Sequence, residues 1–375
     1  MPDYKIPLLP LPFNFESVAI YKQLSAASRA LAELKGIAKT IPNENILLST
    51  LVLQEAKDSS EVENIVTTQD EVYQADLDMA GTIKKIAQKE VLRYREAMHK
   101  GFGLVRSNRL LTNSVIKQIQ QSLERNKAGF RALPGTALKN EQGKTIYTPP
   151  QSNDEIVQLM SNLEKFINDP ALSPLDPLIK LPIIHHQFES IHPFYDGNGR
   201  TGRIISILYL VTNNLLDLPI LYLSRYINHN KALYYSLIQD IRDKAPNNEK
   251  EWEAWIIFLL KGVEETANET VSLVGKISEL MQEYKQKIRS AFGTKYNHEL
   301  LNNLFKHPYT KIEYIVRDLE VYRLTAAKYL DELVKLGLLL KEKVGNSNYY
   351  INQRLIDLFV NRSNAGENKA EIPQN

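Results

Sequence analysis

Cysteine is absent from all 375 residues. Its absence excludes a disulfide framework, thiolate zinc sites and a cysteine nucleophile, and it suits a reducing compartment. No charge of one sign dominates either: 46 Lys and Arg stand against 44 Asp and Glu, a formal net charge of +2. A global electrostatic hold on DNA or an anionic membrane is therefore not implied, only a local patch. Long hydrophobic runs are also missing. The longest mostly apolar stretch, residues 204–211, is less than half of the roughly 20 residues a membrane-spanning helix requires. Residues 1–13 hold apolar side chains, but Asp3, Pro7, Pro10 and Pro12 interrupt them, and no leader-peptide pattern follows. The expectation is a soluble cytoplasmic chain with no membrane contact. What remains is an ordinary globular composition, 43% hydrophobic and 24% charged, in a length that suits two or three domains.

Apolar spacing is helical along most of the chain. The Pro-rich start reads as an extended arm. Ala26, Ala27, Ala30, Leu31 and Leu34 then recur at helical intervals, with Gly36 as the expected stop, and Leu47, Leu48, Leu51 and Val52 mark a second helix over 45–56. Helical patterns continue over 70–99, 112–126 (capped by Thr112 or Asn113), 154–168, 178–190, 204–211, 230–244 and 251–290. One segment departs from this. Residues 129–150 hold three glycines and three prolines and predict a β-hairpin with 144–147 as one arm. Beyond residue 297 the rhythm changes again: short helices over 299–306, 311–319 and 324–336 precede two strand-like segments around a turn at 345–348. That order reads as a winged helix, and the polar tail from Asn361 reads as disordered. The expected fold is mainly α, a helical core with a small β-hairpin and a C-terminal winged-helix module. The expected divisions are 1–100, 101–290, 291–360 and 361–375.

The chemistry concentrates in Ile191-His192-Pro193-Phe194-Tyr195-Asp196-Gly197-Asn198-Gly199-Arg200-Thr201-Gly202-Arg203. Gly197 and Gly199 free the backbone to expose successive N–H groups, an anion-binding nest that opens the next helix, whose dipole also favours phosphate. Arg200 and Arg203 lie three apart on that helix, and two guanidinium forks suit a polyphosphate. Asp196 supplies the hard oxygen ligand that a phosphate-bound Mg2+ requires. His192 precedes the nest and can take a proton from an incoming hydroxyl. A Gly-rich turn with surface arginines is the plain alternative, but it leaves the coincidence of base, metal ligand, nest and paired arginines unexplained.

This stretch resembles the Fic family motif, His-Pro-Phe-x-(Asp/Glu)-Gly-Asn-(Gly/Lys)-Arg-x-x-Arg, at every fixed position, and His185, Phe188 and Glu189 resemble the family's approach to it. The resemblance implies a Fic-type helical core and transfer of AMP from ATP to a Ser, Thr or Tyr hydroxyl of a protein, with release of pyrophosphate. It implies His192 as the general base and Asp196 as the Mg2+ ligand. It assigns Gly197, Asn198 and Gly199 to the phosphates, and Arg200 and Arg203 to the β and γ ends, with Thr201 and Gly202 inside the same nucleotide-binding motif. Gly199, where the family's kinases carry Lys, favours nucleotidyl over phosphoryl transfer. The arrangement of arm, core and winged helix resembles a bacterial Fic architecture over nearly the whole chain.

Ser59, Glu63 and Asn64 match the family's inhibitory pattern, (Ser/Thr)-x-x-x-Glu-(Gly/Asn), which implies an inhibitory helix over about 45–66 whose Glu63 meets Arg203 in place of the γ-phosphate. A solvated acidic helix end is the alternative. The family's flap, which docks a target main chain by strand addition, maps onto 143–150, with Thr145 and Ile146 as candidates. Residues 225–235 are the expected adenine segment, holding Tyr226, Asn228, His229, Tyr234 and Tyr235, and His229 and Tyr235 are the candidate contacts. His185, Glu189 and His192 share a helix face, so a transition-metal reading is open. Within 299–354, nine basic residues against seven acidic ones make docking or homodimerisation at least as natural as DNA binding. The reading that results is an autoinhibited protein adenylyltransferase using ATP and Mg2+, acting on a protein substrate, with self-modification among the expected reactions. A winged-helix DNA-binding regulator with a nucleotide-sensing core, and removal of AMP with Glu63 positioning water, are the alternatives.

Overall fold

The computed structural model describes residues 4–76, 85–140, 142–344 and 347–367. Its first helix, α1 (Val18–Ala38), starts where the Ser17 side chain accepts a hydrogen bond from Ile20 N, a cap that satisfies one of the orphan N–H groups of the first turn. It does not stop at Gly36. Nothing lies within 4 Å of the position a Cβ would take there, and α1 keeps packing along α11 (Glu249–Phe292) with Ala27, Ala30, Leu31 and Leu34 inward. Before α1, Ile6, Leu9 and Leu11 of the arm are buried. Asn162 brackets the arm, accepting from Leu9 N and donating to Leu9 O, while Gln187 donates to Pro7 O.

The next helix, α2 (Glu44–Val62), runs past the 45–56 pattern because its second half stays buried through Ser59, Ser60 and Val62. The pattern over 70–99 resolves into α3 (Gln69–Asp76) and α4 (Ile86–Asn108), with residues 77–84 outside the described part. Helix α4 passes without interruption through the expected division at residue 100. Then come α5 (Asn113–Glu124), capped by Thr112, and the antiparallel pair β1 (Leu138–Lys139) and β2 (Thr145–Tyr147). The turn between these strands includes Glu141, which lies outside the described residues.

The centre of the molecule is built by α6 (Asn153–Asn168), α7 (Pro177–Ile191) and α8 (Asn198–Thr212). Helices α7 and α8 are buried on nearly every side, as expected of helices whose apolar residues do not keep to one stripe. They pack on each other, with α4 and α5 against α8. The α4 backbone comes close enough that a Cβ on Gly101 would stand 2.7 Å from Leu208 Cδ1 and 2.9 Å from Ile119 Cδ1. Two helices follow, α9 (Leu223–His229), which no periodicity announces, and α10 (Lys231–Asp243).

Long helix α11 carries the chain to the C-terminal elements: α12 (His298–Lys306), β3 (Tyr309–Thr310), α13 (Ile312–Leu319), α14 (Arg323–Lys335), β4 (Leu340–Val344), β5 (Ser347–Ile351) and α15 (Gln353–Glu367). The strands form an antiparallel sheet in the order β3-β5-β4, with Ile351 opposite both Tyr309 and Leu340. Strand β3 and helix α15 are additions to the sequence reading. Residues 361–367, read as the start of a disordered tail, continue α15. Residues 345–346 of the expected turn and 368–375 of the tail lie outside the described part. The Tyr284 hydroxyl on α11 donates to Leu338 O or Asn352 Oδ1, at 2.9 and 3.0 Å, tying this sheet to the core. Gly101→Val should destabilise the protein by about 1–3 kcal/mol through overpacking. A lowered thermal unfolding midpoint checks it, with Gly36→Ala, in open space, as the tolerated comparison.

Candidate active site

The turn between α7 and α8 has its shape set by contacts both within it and from the preceding loop. His192 caps α7 with φ 49°, in the left-handed region. Asn198 locks the turn from inside, accepting from Phe194 N at 2.9 Å and donating to Phe194 O at 2.8 Å. Its amide therefore serves the loop rather than pointing out of it. Gly197 has φ 73°, and a Cβ there would fall 2.3 Å from Glu124 Oε1, so any other residue would be strained and would displace Glu124 from Arg200. The Tyr195 hydroxyl accepts from Ala132 N and Leu133 N, and Arg131 donates to His192 O at 2.7 Å. The exposed Asp196 carboxylate accepts from Gly197 N at 2.7 Å.

The two arginines differ. Arg203 is 2% exposed and engaged from α2: its Nε donates to Ser59 Oγ at 2.7 Å, and its Nη2 donates to Ser59 O and Glu63 Oε1, both at 2.9 Å. Arg200 is enclosed by three carboxylates. Its Nε lies 2.9 Å from Glu63 Oε2, its Nη2 lies 3.0 Å from Glu124 Oε1, and its Nη1 pairs with Glu90. Glu63 thus spans both arginines, and its Oε1 sits where a Cβ on Gly199 would meet it at 2.7 Å. Ser59 and Glu63 are one helical turn apart, so one face of α2 delivers both.

The end of α2 explains Asn64. Asn64 N donates to Glu61 O and Ile65 N to Ser60 O, with Asn64 at φ 63°. This is a Schellman ending, which needs Gly or Asn at the left-handed position. Lys231 Nζ on α10 donates to the Asn64 side chain at 2.7 Å. Upstream on the same face, buried Glu55 accepts from Ser224 N and Tyr94 OH, both at 3.1 Å, and from Ser224 Oγ.

Burial perturbs the titrating groups here. It lowers His192 to about 4, helped by the positive fields of Arg131 and Arg242, while a contact to the Glu189 main chain works the other way. Burial raises Glu189 and Glu124 each to about 7, against the opposing pull of Arg203 and Arg200 respectively. It raises Glu55 to about 8. Arg203 is held charged: burial opposes its charge, but Glu63 together with Tyr234, Tyr94 and Tyr235 more than offsets that. For Glu55 the unfolded chain ionises first, so unfolding releases a proton and stability falls as pH rises from about 4.5 to about 8. Glu55→Gln should remove that decline, measured as a flatter dependence of the unfolding midpoint on pH.

A cavity of about 790 Å³ opens over this site, within the range of small-ligand pockets. Glu63, Ile146, Glu189, His192, Arg203 and Tyr235 are among its lining residues. Gln239 on α10 donates to Ile146 O of β2 at 3.2 Å, whereas Thr145 is exposed and outside the lining. His229 also falls outside the lining: it ends α9, and its side chain is exposed. Tyr226 is core, packed on Phe258. The Nδ1 and Nε2 of His185 are taken by Ser206 Oγ and Tyr234 OH, which leaves neither for a metal; no cluster of three or more His, Asp or Glu suited to a metal occurs among the described residues. Thr201 and Gly202 lie inside α8, where a Cβ on Gly202 would reach Glu189 Oε1 at 2.5 Å. Sequence reasoning missed Glu90, Glu124, Arg131, Lys231 and Arg242. None carries a local pattern, since each reaches the site only through tertiary packing.

Three family descriptions follow one another along the chain: "Fic/DOC family N-terminal" over 21–103, "Fic/DOC family" over 110–210, and "Protein adenylyltransferase SoFic-like, C-terminal domain" over 280–355. The chain belongs to the Fic/DOC family. Its similarity to curated proteins is local. It is 46% identical over 54 residues to a probable protein adenylyltransferase of Aquifex aeolicus, which is 14% of this chain and 17% of that one. It is 37% identical over 59 residues to the protein adenylyltransferase Fic of Drosophila erecta, 16% of this chain and 12% of that one. The chain spans less than a fifth of the length of these relatives. The fold extends further: the crystal structure of a Fic family protein from Desulfovibrio desulfuricans superposes with a TM-score of 0.58 at 18% identity, over 91% of this chain and 97% of that one. A Fic domain containing signaling protein of Bacteroides thetaiotaomicron gives 0.51 at 18% identity, over 70% and 97%.

If Glu63 occupies an anion site on Arg203, its removal should free that site. Tripolyphosphate should then raise the unfolding midpoint of Glu63→Gly more than that of the wild type, and not that of Glu63→Gly/Arg203→Ala. A thermal-shift titration reads all three.

Proposed function

We propose that this protein transfers AMP from ATP to a Ser, Thr or Tyr hydroxyl of a protein, its own included, with release of pyrophosphate, and that Glu63 holds the reaction in check. The observation that carries the reading is the Glu63 carboxylate lying across Arg203 and Arg200 in the cavity that also exposes His192. A carboxylate there takes the place that the terminal phosphate of ATP would claim. His192, depressed to about 4, is neutral at physiological pH and free to accept the hydroxyl proton as oxygen attacks the α-phosphorus. The backbone N–H groups at the start of α8 favour the phosphates through the helix dipole, and Tyr235 and Lys231 line the remainder of the cavity. A single exposed carboxylate suits a Mg2+ that keeps most of its waters, so Asp196 would hold the ion, which would neutralise phosphate charge. In-line transfer asks little covalent work of the protein, so positioning and charge stabilisation supply the rate.

Strand β2 with its Ile146 carbonyl steadied by Gln239 supports strand addition as the way a target segment is held. Both Glu63 oxygens face arginines, which favours a blocking role over water activation for AMP removal. Three short helices with a three-stranded sheet support the winged-helix reading of residues 298–351. Tyr322 and Leu324 at the start of α14 are 89% and 78% exposed, which favours protein docking over DNA for that module.

Intact-mass analysis with ATP and Mg2+ tests the reaction and its restraint together. Glu63→Gly should gain AMP far faster than wild type, and adding His192→Ala should cut the rate roughly 10²–10⁴-fold. Equal rates for wild type and Glu63→Gly would remove the inhibitory role, and no AMP on any variant or on added proteins would remove the transfer.

A further inference from the structure

Two buried arginines stand beside His192 without a carboxylate partner. Arg131 is 0% exposed. Its Nε donates to His192 O at 2.7 Å, its Nη2 donates to Pro150 O at 2.6 Å and to Ile191 O at 3.3 Å, and its Nη1 is buried with no hydrogen bond. Arg242, on α10, is also buried. Its Nε and Nη2 reach Ser190 Oγ at 3.2 and 3.1 Å, and its guanidinium carbon lies 3.9 Å from the centre of the Tyr147 ring on β2. Among the described residues neither arginine makes an ion pair within 4 Å. Keeping two such cations away from water is costly, and neither belongs to the nucleotide-binding motif.

His192 occupies the C-cap of α7. The negative end of a helix dipole stabilises an imidazolium at that position. Left alone, then, the end of α7 would favour protonation of the very group the proposed reaction needs as a proton acceptor. The bonds of Arg131 fall on the carbonyls of that helix end, Ile191 and His192, and cancel their negative field. Arg242 holds Ser190, two residues upstream, and closes the opposite side under the flap. The other charged or titratable groups around His192 are Glu189 on its own helix, Lys139 on β1, Tyr147 on β2, Lys231, Tyr234 and Tyr235 on α10, Arg203 on α8 and Glu63 at the end of α2. Of the carboxyls, Glu63 is committed to Arg203 and Arg200, and burial raises Glu189 to about 7, so neither fully neutralises the pair.

We propose that Arg131 and Arg242 are positioning residues that fix the end of α7 and keep the His192 imidazole in its neutral, proton-accepting form against the pull of its own helix. The proposal rests on the reading of His192 as the base, but it can be tested without turnover. The lowering of His192 to about 4 agrees with it, since both arginines contribute there after burial.

The test is a pH titration of the full chain labelled with 13C at histidine Cε1, with the His192 signal assigned by its loss in His192→Gln. In wild type the signal should remain that of neutral imidazole through pH 5.5, well below the ordinary midpoint of about 6.5. In Arg242→Met the midpoint should rise by about one unit, the order that a neighbouring like charge imposes, while Arg242→Lys, which keeps the charge, should leave it near wild type. Arg131→Gln is the parallel variant should Arg242→Met fail to fold. In the Glu63→Gly background, the acid limb of AMP transfer should move with the same midpoint. A wild-type midpoint at or above 6.5, or an unchanged midpoint in a folded Arg242→Met, would overturn the proposal. The expected shifts without AMP transfer in any variant would uphold the electrostatic frame and instead remove the reaction proposed above.

Discussion

A buried guanidinium must be answered by oxygen, and Arg203 organises much of this protein by that demand. With 2% of its surface exposed, its N–H groups need acceptors, and α2 supplies them through Ser59 and Glu63. The helix that answers Arg203 is thereby fixed against the motif helix. Glu55, two turns upstream on the same face, fastens it to Ser224 and Tyr94. The same demand gives the site its chemical ambiguity. An arginine satisfied by a carboxylate is satisfied equally well by phosphate, which is why the proposed function sets the end of a polyphosphate against this contact.

The second arginine is governed differently. Arg200 is bound by Glu90 from α4 and Glu124 from α5 as well as by Glu63, so the loss of Glu63 leaves it still flanked by two carboxylates. Its net charge is largely spent inside the protein. Arg203, by contrast, pairs with Glu63 alone among the described carboxylates, so two residues that the motif presents as equivalents are neutralised unequally.

How much of this could be read in the sequence depended on whether the information was local. The turn at 192–203 is contiguous, and its glycines, histidine and arginines identify it unaided. Glu63 was legible only through the resemblance to the family's inhibitory pattern; the structure adds a local reason for its neighbours, with Ser59 one turn before it and Asn64 in a left-handed helix ending. Arg131, Arg242, Glu90 and Glu124 carry no such mark, because each reaches the site across a long loop of chain. The facing of His229, outside the cavity lining, was not legible because α9 is only seven residues long, too short for periodicity to show it. Gly36 misled for the opposite reason: a helix can carry a glycine where neighbouring side chains leave open space and packing along α11 continues.

The ending of α2 has a kinetic side. Glu63 and Asn64 close the end of α2, and the end of a helix frays most readily, whereas Glu55 is anchored two turns back in a fully buried network. Local opening of a terminal turn requires far less free energy than detaching a whole helix. Unwinding from Ser60 onward would carry the Glu63 carboxylate away while leaving the Glu55 anchor in place. If Glu63 restrains the reaction as proposed, its release asks only for the loss of one terminal turn within a fixed scaffold, not for the departure of α2.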